Sequence, residues 1–97
     1  GLLDHAADVG AHLKGALQQA LSANPGVREV RGQGLMIGIE LAKPCGVLAQ
    51  RALDAGLLIS VTADSVVRLV PPLILSRAEA DEIVAILVPL IEAFLKE

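Results

Sequence analysis

The 97 residues of the chain are enough for one domain, in which roughly 60–65% of the unfolded surface can be buried. With 54% apolar residues and Phe94 as the sole aromatic, the core must be built from Leu, Ile, Val and Ala, and so high an apolar load predicts a surface that faces a partner domain or subunit. The formal net charge of −3, with both signs scattered, excludes the basic footprint of a nucleic-acid binder, and no apolar run reaches the roughly 18 residues of a membrane span.

At the N-terminus, Asp4, His5 and Asp8 stand where a signal peptide would carry basic residues, and Gly1 in place of an initiator methionine reads as the start of an excised piece. Leu2, Ala6, Val9, Leu13, Ala16 or Leu17, and Ala20 or Leu21 recur at steps of three and four, which predicts an amphipathic helix from about residue 2 to 23. Asn24-Pro25-Gly26 stops it, because proline disfavours helix in the residue before it and glycine accepts the turn. Val27 to Arg31 alternates apolar with charged residues and reads as an exposed strand. Gly32-Gln33-Gly34 is a tight connection to a second strand, Leu35 to Leu41, in which Gly38 marks a bulge or a close approach, and the two strands pair as a hairpin.

Pro44 to Ala55 reads as a shorter helix that Gly56 ends in the left-handed conformation. Cys45, the only cysteine, has no partner for an intramolecular disulfide; beside Pro44 and Gly46 it caps a helix start or fills a small apolar gap, and a reducing cytoplasm fits. Leu57 to Val61 is a third strand, and Ala63-Asp64-Ser65 turns the chain into the strand that carries Arg68. Pro71-Pro72 ends that strand, since neither residue can donate to a ladder. Ser76-Arg77-Ala78-Glu79 is a capping-box pattern that opens the last helix. Its two apolar stripes, Ala80, Ile83, Leu87, Leu90 and Phe94 beside Val84, Val88, Ile91 and Leu95, predict burial against more than one neighbour and a leftover apolar face that drives self-association; Pro89 predicts a kink. The plan is α+β, α-ββ-α-ββ-α: a short antiparallel sheet covered by helices.

Most candidate chemistries fail on spacing. Gly32-x-Gly34 is followed by a strand, so no helix N-terminus awaits a pyrophosphate. His5 and His12 lie about 10 Å apart along a helix, too far to chelate one metal, and read as solvated residues of a polar face. Cys45 has no histidine near it in sequence to serve as a base. Ser60, Thr62, Asp64 and Ser65 are explained by turn chemistry, and Arg28, Glu29 and Arg31 by a solvated face with weak ion pairs. Arg68 survives. Alternation puts it on the face of Val66 and Val70, inside an otherwise apolar run, and a permanently charged guanidinium there asks for a carboxylate. That carboxylate belongs either to Glu29, Glu40 or Asp64, or to a ligand.

Three stretches carry a resemblance: Val30-Arg31-Gly32-Gln33-Gly34-Leu35-Met36-Ile37-Gly38-Ile39-Glu40-Leu41, then Ala55-Gly56-Leu57-Leu58, then Val67-Arg68-Leu69-Val70-Pro71-Pro72-Leu73-Ile74. In order and spacing they resemble the C-terminal segment of class III pyridoxal-phosphate aminotransferases, nearest in pattern to the acetylornithine branch. The resemblance implies that residues 1–97 are the C-terminal small domain of a fold type I enzyme, a homodimer whose large domain is absent here. Such enzymes move an amino group from N-acetylornithine, or a related ω-amino acid, to 2-oxoglutarate in arginine biosynthesis. It also implies that Arg68 is the arginine gripping the substrate α-carboxylate. The family's Schiff-base lysine, its aspartate at the pyridine nitrogen and its phosphate loops belong to the large domain. Lys14, Lys43 and Lys96 match none of these positions. The implied outcome is that this chain alone neither binds pyridoxal 5'-phosphate tightly nor transaminates. Two other readings stand beside it, a stand-alone amino-acid-binding module and a structural dimerisation module with Arg68 paired internally.

Overall fold

Helix α1 (Leu2–Leu21) turns Ala6, Val9, Leu13, Leu17 and Leu21 to the core, the stripe expected from their spacing, while Leu2 remains half exposed. The computed structural model describes residues 1–97, in which α1 is followed by β1 (Val27–Gln33), β2 (Met36–Leu41), α2 (Val47–Asp54), β3 (Ser60–Thr62), β4 (Val66–Leu69) and α3 (Arg77–Leu95). The strands form one antiparallel sheet in the order β1-β2-β4-β3. The two expected hairpins are present, and β2 pairing with β4 joins them into a single sheet. Helix α1 packs on β1 and β2, α2 on β3, and α3 against both α1 and α2. The helices cover one face only, so the α+β plan holds with the other face of the sheet open.

The core is aliphatic. Leu13, Leu17, Leu21, Ile39, Leu41, Leu48, Leu87 and Ile91 are fully buried, each contributing about 1.5–3 kcal/mol over an exposed side chain. Cys45 is also fully buried among them, the apolar filler expected from its neighbours, and burial pushes its thiol up from the ordinary value.

Several boundaries differ from the sequence expectation for identifiable reasons. Gly32 lies within β1 rather than in the connection, because Gln33 pairs with Met36 and leaves Gly34-Leu35 as a two-residue turn. Gly34 has φ +58° at the first central position, where a type II′ hairpin requires glycine. Gly38 marks no bulge: it pairs regularly with Arg31 and Arg68, and the irregularity falls between Val27 and Glu29. Strand β3 starts at Ser60 rather than Leu57 because the amide of Leu57 still donates to Ala52 O (2.8 Å) and that of Gly56 to Leu53 O (3.0 Å), with Gly56 at φ +88°. This double closure of α2 is a Schellman motif, and it holds residues 56 and 57 out of the sheet.

The capping box of α3 is complete: Glu79 N donates to Ser76 Oγ (3.0 Å) and Ser76 N to Glu79 Oε1 (3.0 Å). These bonds hold the Glu79 carboxyl below the usual carboxylate range, the backbone bond from Ser76 contributing most. Ser76→Ala is expected to cost about 1 kcal/mol in urea denaturation. Glu79→Ala should destabilise at neutral pH, and the deficit should vanish on acidification. The contribution of a depressed carboxyl is complete above its unfolded value of about 4.3 and disappears as pH falls through the lower folded value. Pro89 sits on the exposed side of α3, and the helix continues through it to Leu95.

Two expectations are corrected by packing. The second stripe of α3 is not a bare apolar face: Val84, Val88 and Leu95 are half-buried against the core and Ile91 is fully buried. The large exposed apolar residues lie elsewhere: Leu2 and Leu3, Met36, Val47 and Leu53, and Leu58 with the segment Val70, Leu73 and Ile74. The histidines are not simply solvated either. His5 Nε2 donates to Leu75 O (2.8 Å) and His12 Nε2 meets Asp81 Oδ1 (2.7 Å), tying α1 to the start of α3 beside the Asp8–Arg77 pair.

Candidate functional site

Alternation along four short strands decides what the open face presents. Arg31 and Gln33 come from β1, Met36, Gly38 and Glu40 from β2, Val66 and Arg68 from β4, and Ser60 and Thr62 from β3. Gly38 pairs with Arg31 on one side and Arg68 on the other, and Ser60 pairs with Arg68 beyond it. One cross-strand row therefore reads Arg31, Gly38, Arg68, Ser60. With strands about 4.8 Å apart, the two arginines start roughly 10 Å from each other with no side chain between them. The gap is the floor of a concavity of about 480 Å³ bounded by Arg31, Met36, Thr62, Val66 and Arg68.

Arg68 is half-buried at the wall of this concavity and makes neither a side-chain hydrogen bond nor an ion pair. None of the internal partners named from the sequence has taken it. Glu29 and Glu40 both accept from Arg31 Nη1, at 3.1 and 3.0 Å. Asp64 lies in the β3–β4 turn, where its backbone carbonyl accepts from Cys45 N. The bond from Glu40, ahead of that from Glu29, raises the Arg31 guanidinium above its ordinary value. Arg51 and Arg77 are likewise paired, with Glu97 and Asp8. The open face thus holds one satisfied arginine and one whose rigid donor fork is free for a carboxylate or similar planar anion.

The remaining sequence candidates do not assemble into a site. No group of His, Cys, Asp and Glu lies close enough to hold a metal ion. Cys45 is buried with a raised thiol, the opposite of an activated nucleophile. The glycines of residues 32–34 form a hairpin end. Ser60 and Thr62, assigned to turn chemistry, are strand residues on the open face flanking Arg68. Sequence reasoning named Glu40 as a possible partner of Arg68 but missed Gly38 and Arg31 as its neighbours; the even-numbered alternation Met36, Gly38, Glu40 was the available signal.

A cofactor that reacts through an imine needs an amine at the site. Lys14 Nζ donates to Gly32 O, Lys43 Nζ lies over the Phe94 ring and donates to Glu97 O, and neither they nor Lys96 borders the concavity. The residues of this chain do not themselves fit such a cofactor. No helix is long and apolar enough to cross a membrane.

A family model for class-III aminotransferases matches residues 1–91, and the chain belongs to that family. Among curated relatives it is 65% identical over 97 residues to acetylornithine aminotransferase 1 of Bordetella pertussis, covering all of this chain and 25% of that protein. It is 42% identical over 96 residues to acetylornithine aminotransferase of Nitrosomonas europaea, covering 99% of this chain and 24% of that protein. Among solved structures, the ornithine aminotransferase of Plasmodium yoelii superposes with a TM-score of 0.90 at 28% identity, over 96% of this chain and 26% of that one. The chain spans about a quarter of the length of the curated relatives it matches.

Proposed function

We propose that residues 1–97 are the C-terminal small domain of a pyridoxal-phosphate aminotransferase of the acetylornithine type, and that Arg68 binds the α-carboxylate of its substrates. The full-length enzyme would transfer an amino group from N-acetylornithine to 2-oxoglutarate in arginine biosynthesis, as a cytoplasmic homodimer. Its large domain would hold the cofactor and the reactive lysine. The names of the relatives support the reaction. The observation that carries the role of Arg68 is its free guanidinium at the wall of the open-face concavity. A dimerisation module with Arg68 paired internally has no such pair to rest on.

The division of labour has a direct test. The purified 97-residue chain, titrated with pyridoxal 5'-phosphate, is expected to show no stable protein-bound cofactor band and no turnover of N-acetylornithine with 2-oxoglutarate. The full-length protein should show both. A bound band and turnover from the 97 residues alone would overturn the assignment.

A further inference from the structure

The most exposed large apolar side chains gather at one end of the fold. Leu58 is 81% exposed, Ile74 74% and Val70 65%, and Leu3, at the start of α1, 77%. Leu58 and Val70 both line two neighbouring concavities. One, of about 240 Å³, is walled also by Leu57, Pro71, Pro72, Leu75 and Ile83, and none of its eight residues is charged, so its counterpart is apolar. The other, of about 280 Å³, reaches Ser60. The Leu75 carbonyl accepts from His5 Nε2 at 2.8 Å, which sets the second turn of α1 against the end of the β4–α3 loop. Leu2 lies one turn before His5 on the same side of the helix. The patch therefore runs from the edge strand β3, across the β4–α3 loop, to the first residues of α1.

This surface is held in shape before anything covers it. Pro71 and Pro72 fix two φ angles in the middle of the loop. Leu75 N donates to Pro72 O at 3.0 Å, and His5 grips the same residue from α1. Side chains mounted on such a loop lose little backbone freedom when a partner docks, so the apolar area buried there is not offset by ordering. Monomers rarely leave a contiguous apolar patch of this kind bare.

We infer that the patch formed by Leu58, Val70, Leu73 and Ile74 is the docking surface for the polypeptide that precedes Gly1 in the same chain of the full-length enzyme. This rests on the reading of residues 1–97 as the C-terminal part of a longer protein, whose relatives are about four times as long, this chain covering 25% and 24% of them. Two candidates could cover the patch, the upstream polypeptide or a second copy of the chain. Tethering decides between them. The covalent link enters at Leu2, on the margin of the patch, so the upstream polypeptide is present there at an effective concentration of about millimolar. A second copy must arrive from solution, and tethering alone favours the linked partner by roughly 10²–10⁴-fold.

The experiment uses the full-length enzyme. Leu58→Cys and Ile74→Cys are alkylated with iodoacetamide and read peptide by peptide, so that Cys45 and any other cysteine are scored separately. Each is expected to react at least about 100-fold more slowly in the folded enzyme than in urea, because alkylation must wait for a local opening. A folded rate within about threefold of the unfolded one means the patch is bare and overturns the inference. Val70→Cys replaces either variant that fails to fold. The occupant is then identified with p-benzoylphenylalanine incorporated in place of Leu73 and irradiated. Products with the mass of one chain, joined to peptides upstream of Gly1, are expected; products with the mass of two chains assign the patch to a second copy and overturn the inference. Turnover of N-acetylornithine with 2-oxoglutarate by the unsubstituted enzyme separates the two proposals. Turnover with a bare patch removes the docking surface alone, whereas a covered patch without turnover removes the transaminase reading and leaves the docking surface standing.

Discussion

Replacing Arg68 with alanine in the full-length enzyme is expected to lower kcat/KM for both amino-acid and oxo-acid substrates by about 100-fold to 1,000-fold, roughly 3–4 kcal/mol. The size follows from what a bidentate guanidinium does. Two parallel charge-assisted bonds bind the carboxylate and also fix its plane, so the α-carbon is presented in one orientation. Arg68→Lys keeps the charge and loses the fork, and most of the loss should remain. Stability should move by no more than about 0.5 kcal/mol in either variant, since Arg68 makes no polar contact with the rest of the chain. Unchanged efficiency toward carboxylate substrates in the alanine variant would refute the assignment.

Much of this arrangement was legible in the sequence because the signals were local. The apolar period of α1, the Asn24-Pro25-Gly26 stop, the Ser76–Glu79 box and the glycine at position 56 act through neighbours a few residues away, and each appears in the structure. Arg68 stood out because a cation in an apolar run is costly wherever it lies. What could not be read was non-local. Nothing in β2 or β4 announces that they pair, yet that pairing alone sets Gly38 beside Arg68 and brings Glu40 within a diagonal of it. Gly38 looked like a defect in a strand, whereas in the sheet it is the missing side chain that opens a concavity. Strand β3 was misplaced for a competing local reason, the closure of α2, which claims the amide of Leu57. The α3 stripe was read as bare because its neighbours α1 and α2 are distant in sequence.

The same non-locality sets the strongest stability prediction. Gly10→Ala is expected to destabilise the chain by about 2–3 kcal/mol, lowering its thermal midpoint by roughly 10 °C or more. Helix propensity argues the other way, favouring alanine by about 1 kcal/mol in a helix interior. The deciding fact is distance: a Cβ on Gly10 would lie 2.0 Å from Gly34 O and 2.4 Å from Gly34 C. Both are backbone atoms of the β1–β2 turn, so no rotamer change relieves the clash, and α1 and the hairpin must separate. Lys14 Nζ to Gly32 O and Gln18 Nε2 to Val30 O resist that separation farther along the same helix. Gly15 supplies the control. It lies in α1 as well, nothing stands within 4 Å of its Cβ position, and Gly15→Ala should therefore stabilise by up to about 1 kcal/mol. Opposite signs for two identical substitutions in one helix are the expected result of chemical denaturation. Equal signs would mean that the helix–turn approach is looser than described. The turn that Gly10 abuts leads into β2, the strand that carries Gly38 and Glu40, so in the full-length enzyme Gly10→Ala should also disturb the row in which Arg68 stands.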